Sequence, residues 1–178
     1  QLLATGSGDN YIRLFRVSDG ALINTLRGHT ASVNSVVFSP DGQLLASGAA
    51  DNTVQLWDVR SGSHLTTFDE HNKSIRSVAF SPDGQLLASG SSDTSIIVWQ
   101  VADKKLLSIL NGHKDVVTSL AFSPDGQKLA SGSWDKTVMI WRVSDASLLS
   151  TLKGHANRVY SVAFSTDGQT LASGGGNY

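Results

Sequence analysis

A chain of 178 residues, 40% of them hydrophobic, is long enough to bury a core of its own. Lys+Arg 14 against Asp+Glu 15 leaves a net charge of −1, so the basic stripe that nucleic acid demands is absent. No apolar run approaches the roughly 18 residues of a membrane span, QLLATGSGDN lacks a signal peptide's basic start, and the lack of cysteine excludes disulfides, a thiolate nucleophile and cysteine-ligated zinc.

In chain order, residues 1–27 read as the end of a unit whose whole form comes next. Gln1–Gly8 matches Gln43–Ala50, Tyr11–Val17 matches Thr53–Val59, and Ala21–Leu26 matches Ser63–Phe68. The first whole unit is GHTASVNSVVFSPDGQLLASGAADNTVQLWDVRSGSHLTTFD, residues 28–69. Whole units follow at 70–111 and 112–153, and a last partial unit occupies 154–178. The period is 42 residues, and a fixed period of this length is the mark of a repeat architecture.

Within the unit the patterns predict short strands and tight turns. Val33–Phe38 is β-branched and apolar and stops at Ser39-Pro40-Asp41-Gly42. Proline presets φ there, and glycine supplies the φ > 0 that a hairpin needs. Leu44–Gly48 predicts a second strand, Ala49–Asn52 a turn, Val54–Val59 a third strand and His64–Phe68 a more polar fourth at a solvent-facing edge. No helical period with caps occurs. Four antiparallel strands per unit predict one blade of a β-propeller, whose strands are apolar on both faces because blades stack face to face.

The unit resembles the WD40 repeat, with a Gly-His near its start and a Trp-Asp closing the third strand. Gly-His stands at Gly28-His29, Gly112-His113 and Gly154-His155, with Glu70-His71 in the second whole copy. Trp57, Trp99 and Trp141 fill the Trp position and Phe15 replaces it in the first partial unit; only Trp57-Asp58 keeps both letters. A turn Asp recurs at Asp9, Asp51, Asp93 and Asp135 and becomes Asn177 at the end. The resemblance covers the whole chain and implies an all-β WD40-type propeller, with residues 1–178 as a single propeller region.

Each whole unit aligns a His, a Ser, an Asp and a Trp: His29, Ser47, Asp51 and Trp57; His71, Ser89, Asp93 and Trp99; His113, Ser131, Asp135 and Trp141. Three of these types are those of a hydrolase triad. An active site is rarely repeated in consecutive units, whereas a blade-holding element must be. In the WD40 family the four form a hydrogen-bond relay, so the resemblance implies structural tetrads and no catalytic residue. Glycine runs at 5–8 and 173–176 lack the lysine and helix of a phosphate cradle; four of the five histidines recur one per blade and His64 is alone on an edge strand, so no cofactor and no metal are expected.

Function is therefore sought where the copies differ at exposed turns. The family resemblance points to the face carrying the turn before Asp and the approach to the first strand. The residue before Asp is Gly8, Ala50, Ser92 and Trp134, while Asn34, Arg76, Thr118 and Tyr160 stand five residues after each His and Arg158 three after the last. Trp134, Arg76, Arg158 and Tyr160 are of the types enriched in binding hot spots. The expected function is a non-catalytic interaction scaffold, cytoplasmic, binding a protein or peptide and neither nucleic acid nor membrane. The alternative is an accessory or sensor propeller within a larger signalling or enzymatic chain. With about four blades of sequence, the expectation is part of a larger ring, or one closed by another copy. Pairing 158–164 with the blade begun at Gln1 would instead close four blades, but the second strand would then be present twice.

Overall fold

The computed structural model describes residues 1–176, and every regular element among them is a strand. A three-stranded sheet of β1 (Leu2–Gly6), β2 (Ile12–Arg16) and β3 (Leu22–Leu26) comes first. Three four-stranded sheets follow. They hold β4 (Val33–Phe38), β5 (Leu44–Ala49), β6 (Val54–Asp58) and β7 (His64–Phe68); then β8 (Ile75–Phe80), β9 (Leu86–Ser91), β10 (Ile96–Gln100) and β11 (Lys105–Leu110); then β12 (Val117–Phe122), β13 (Lys128–Ser133), β14 (Thr137–Arg142) and β15 (Leu148–Lys153). The last sheet pairs β16 (Val159–Phe164) with β17 (Leu171–Gly175). Every pairing joins sequence neighbours in antiparallel order, which is the meander of a propeller blade. No helix is long and apolar enough to cross a membrane.

The turns follow from their residues. At the β4–β5 hairpin the Ser39 hydroxyl donates to Asp41 Oδ1 at 2.5 Å and the Gly42 N–H donates to the Ser39 carbonyl at 2.8 Å. Gly42 sits at φ 71°, a left-handed conformation that costs glycine nothing. Residues 81–84, 123–126 and 165–168 repeat the arrangement, the last with Thr166 in place of proline.

The core lies between sheets and not within any one of them. Because successive side chains of a strand point to opposite faces, Val54 and Leu56 of β6 pack with Ile75, Leu87 and Trp99 of the next sheet, while Trp57 packs backwards on Ile12, Leu14 and Leu26. β10 does the same: Ile97 and Trp99 face the preceding sheet, Ile96 and Val98 the following one. This two-sided burial is why the third strands read as unbroken apolar runs.

Successive blades meet along their first strands, β4 on β8, β8 on β12 and β12 on β16. Among the described residues β16 pairs with β17 and not with β1, so the four-bladed closure is not the arrangement found. The final sheet is covered on one side only. Ala172, Ser173, Gly174 and Gly175 of β17 are exposed, whereas their counterparts Ala46, Ser47, Gly48 and Ala49 in β5 are buried.

Candidate functional site

In the β4–β7 blade the loop before β4 brings His29 back over the sheet. Its Nδ1–H donates to Asp51 Oδ2 at 2.8 Å, and Nε2 accepts from the Ser47 hydroxyl at 2.7 Å. Ser47 Oγ in turn accepts the Trp57 indole N–H at 2.9 Å. The β12–β15 blade repeats all three contacts through His113, Asp135, Ser131 and Trp141. Asp51 also receives the backbone N–H groups of Thr30 and Thr53, so one carboxylate ties the loop before the blade to the turn inside it.

Charge follows burial. Burial pushes the His29 and His113 imidazoles below their ordinary value, against the opposing pull of Asp51 and Asp135. Burial pushes the Asp51 carboxyl upward, but the Thr30 N–H, the Thr53 hydroxyl and His29 together hold it below the usual carboxylate range. The arrangement has the connectivity of a hydrolytic triad with its nucleophile sealed. Ser47, Ser89 and Ser131 are 0% exposed, and in two of the three blades the serine oxygen is also occupied by an indole N–H.

The blade of β8–β11 departs from the expected relay. His71 reaches Asp93 at 2.8 Å and Ser89 at 2.7 Å, but the Trp99 N–H donates to Glu70 Oε2 at 3.3 Å instead of to Ser89. The cause is the Glu70 side chain, standing where the other copies have glycine: a charged acceptor takes the indole from the hydroxyl. The partial blades are also incomplete. Asp9 has no histidine and binds Arg13 at 2.6 Å, which holds its carboxyl at about 2. His155 meets Ser173 at 2.7 Å, and Asn177 at the Asp position lies outside the described residues.

The residues singled out on the propeller face occupy a repeated backbone feature. The ladder between the first and second strands of each blade slips by one residue, leaving Asn34, Arg76, Thr118 and Tyr160 unpaired in β-bulges. A bulge re-aims the side chain it carries. Two of the four are aimed at the next blade: Asn34 Nδ2 donates to the Ile75 carbonyl at 2.8 Å, and Thr118 Oγ1 donates to the Val159 carbonyl at 2.7 Å. Those two side chains are ties between blades. Arg76 stays exposed, with its Nε–H donated to Ser92 Oγ at 2.9 Å, and Tyr160 is 44% exposed. Trp134 and Arg158 come together across a blade boundary, the guanidinium carbon 4.1 Å from the ring centroid. The Trp134 indole N–H is buried without a hydrogen-bond partner among the described residues.

Comparison with known families accounts for the sheet meander. Residues 1–150 match the family model of the Echinoderm microtubule-associated protein second beta-propeller, and residues 146–177 match that of the WD domain, G-beta repeat. The chain belongs to the WD40-repeat β-propeller family. A search of curated proteins found no match. WD40 propellers generally mediate protein–protein interactions and are generally non-catalytic.

This WD40 chain also uses a set of residues that reading the repeats for chemistry passed over. Ser35 Oγ accepts the Val78 N–H at 3.2 Å, Ser77 the Leu120 N–H at 3.1 Å and Ser119 the Val162 N–H at 3.1 Å. Each serine satisfies a backbone donor of the next blade's first strand, where an unpaired N–H would be costly. The available signal was their recurrence every 42 residues, with Ser161 as the last of the series.

Proposed function

We propose that this WD40 chain is a non-catalytic interaction scaffold that takes a protein or peptide on the face carrying the Trp134 turn and the first-strand bulges. The observation that carries the reading is the Trp134–Arg158 pair. A large amphipathic ring stands where the other copies have Gly8, Ala50 and Ser92, and it supports a guanidinium at 4.1 Å. Arg76 and Tyr160 extend the same face, while Asn34 and Thr118 hold the blades that present it. Residues 1–178 act as one propeller region in this reading. Its home is the cytoplasm, which a cysteine-free sequence suits.

The test is selection of displayed random peptides on the immobilised chain. Peptides that this surface binds are expected to lose about tenfold or more in affinity on Trp134→Ala, with unchanged urea midpoints as the check on folding. Peptides indifferent to Trp134→Ala, or hydrolysis of a generic ester above the buffer rate, would sink the proposal.

A further inference from the structure

Three cations, Lys114, Lys136 and Lys153, stand at one end of the β12–β15 sheet, and Arg158 reaches the same end from the next sheet. The Lys114 backbone N–H donates to Asp135 Oδ2 at 2.9 Å, which sets this residue against the turn containing Trp134 and Lys136. The Trp134 backbone N–H donates to the Val116 carbonyl at 3.0 Å, locking turn and loop together, and Arg158 leans over Trp134 from the next blade. On the flank of Lys114 a cavity of about 390 Å³ is floored by Gly112 and Met139 and rimmed by Lys153, with Asp135 on its wall. Lys114, Lys136, Lys153 and Arg158 are exposed, and among the described residues none has a carboxylate within ion-pair distance.

Lys114, Lys136 and Arg158 have no basic counterpart in the other copies, whereas Lys153 has Arg27. At the position of Lys114 the other copies have Thr30, Asn72 and Ala156, and at the position of Lys136 they have Asn10, Asn52 and Thr94. Of the nearby acids, Asp135 is engaged with His113 and Asp115 caps the Val116 N–H. The chain as a whole carries −1, so this basic patch is not a by-product of composition.

From this juxtaposition we infer that the surface recognises an acidic peptide segment, with an Asp or Glu carboxylate held by Arg158 and flanking acids met by Lys114, Lys136 and Lys153. A guanidinium stacked on an indole keeps its N–H edges free and its torsions restrained, the state in which it forks a carboxylate at least entropic cost. The same stacking covers a face of the Trp134 ring, which argues against a nucleic-acid base stacking there. The inference rests on the interaction-surface reading above and adds the partner's chemistry to it.

The composition of the selected peptides decides it. The expected outcome is clusters of Asp and Glu, with affinity falling about tenfold or more on Arg158→Glu or on Lys136→Glu and falling again as salt is raised. Arg60→Glu, in the β6–β7 turn, is the surface control and leaves affinity unchanged. Neutral or basic peptides that still depend on Trp134 overturn the acidic assignment and leave the interaction surface standing. An outcome with no peptides, or with peptides indifferent to both Trp134→Ala and Arg158→Glu, overturns both. A single-stranded oligonucleotide that displaces the peptides and is itself lost on Arg158→Glu reassigns the patch to nucleic acid. Equal urea midpoints across the variants separate lost recognition from lost folding.

Discussion

The Trp99 indole donates to the Glu70 carboxylate at 3.3 Å, whereas Trp57 and Trp141 donate to Ser47 and Ser131 at 2.9 Å. Ser89 is nevertheless in place, buried and bonded to His71 at 2.7 Å. Removing the carboxylate should let the indole fall back on Ser89. Glu70→Gly alone is therefore expected to cost under about 1 kcal/mol, since one hydrogen bond replaces another. Ser89→Ala should cost more in the Glu70→Gly background than in the wild type, by about 0.5–3 kcal/mol of coupling. Urea unfolding of the four proteins measures the cycle, and strictly additive losses would show that Ser89 is no fallback.

Acid should loosen the blades in two stages. His29 and His113 bind protons less readily when folded than the ordinary value of 6.5. Below that value the unfolded chain takes up protons that the folded chain refuses, so stability falls as pH drops. Asp51, Asp93 and Asp135 are held below the ordinary 3.8, so a second loss begins only beneath that value. Thermal melts from about pH 7.5 down to about pH 5 should show the first decline, and His113→Gln should shrink it. A melting temperature flat or rising across this range would contradict the assignment of neutral buried imidazoles.

Gly90 lies where β9 meets the next blade, and a Cβ added there would stand 2.6 Å from Val117 Cγ1. That is too close for any side chain, and the neighbour is itself fully buried. Gly90→Ala should destabilise by about 1–3 kcal/mol through overpacking. Val117→Ala in the same chain should restore part of the loss by making room, so the double variant falls short of the sum. A neutral Gly90→Ala would mean that the blades slide apart at little cost.

Much of this was legible in the sequence, because the repeat states its own rules. The 42-residue period, the Ser-Pro-Asp-Gly turns and the apolar third strands read directly as blades, since each reflects local geometry or two-sided burial. Other features depend on where a side chain lands after folding. Asn34 and Thr118 looked free to vary because their copies differ, yet the bulge turns both toward the next blade's carbonyls. Glu70 read only as a lapse from Gly-His, since nothing in its letter tells that the side chain reaches Trp99. The pairing of Arg158 with Trp134 joins residues 24 positions apart across a blade boundary, so no single unit contains it.

Thr94 holds φ at 78°, where Asn10 and Asn52 hold 72° at the equivalent place in their turns. Asparagine tolerates the left-handed region because its short amide bonds locally, whereas a β-branched residue crowds its own backbone there. No hydrogen bond of the Thr94 side chain offsets this among the described residues. Thr94→Asn should therefore raise stability by about 1 kcal/mol, seen as a melting temperature higher by about 2–4 °C. Thr94→Gly relieves the same crowding but frees the unfolded chain, so its gain should be smaller. Lys136, at φ 70° in the turn beside Trp134, invites the same exchange. There the acidic-peptide reading separates two properties: Lys136→Asn should stabilise the blade while weakening peptide capture. Stability and capture moving in the same direction would show that Lys136 has no part in recognition.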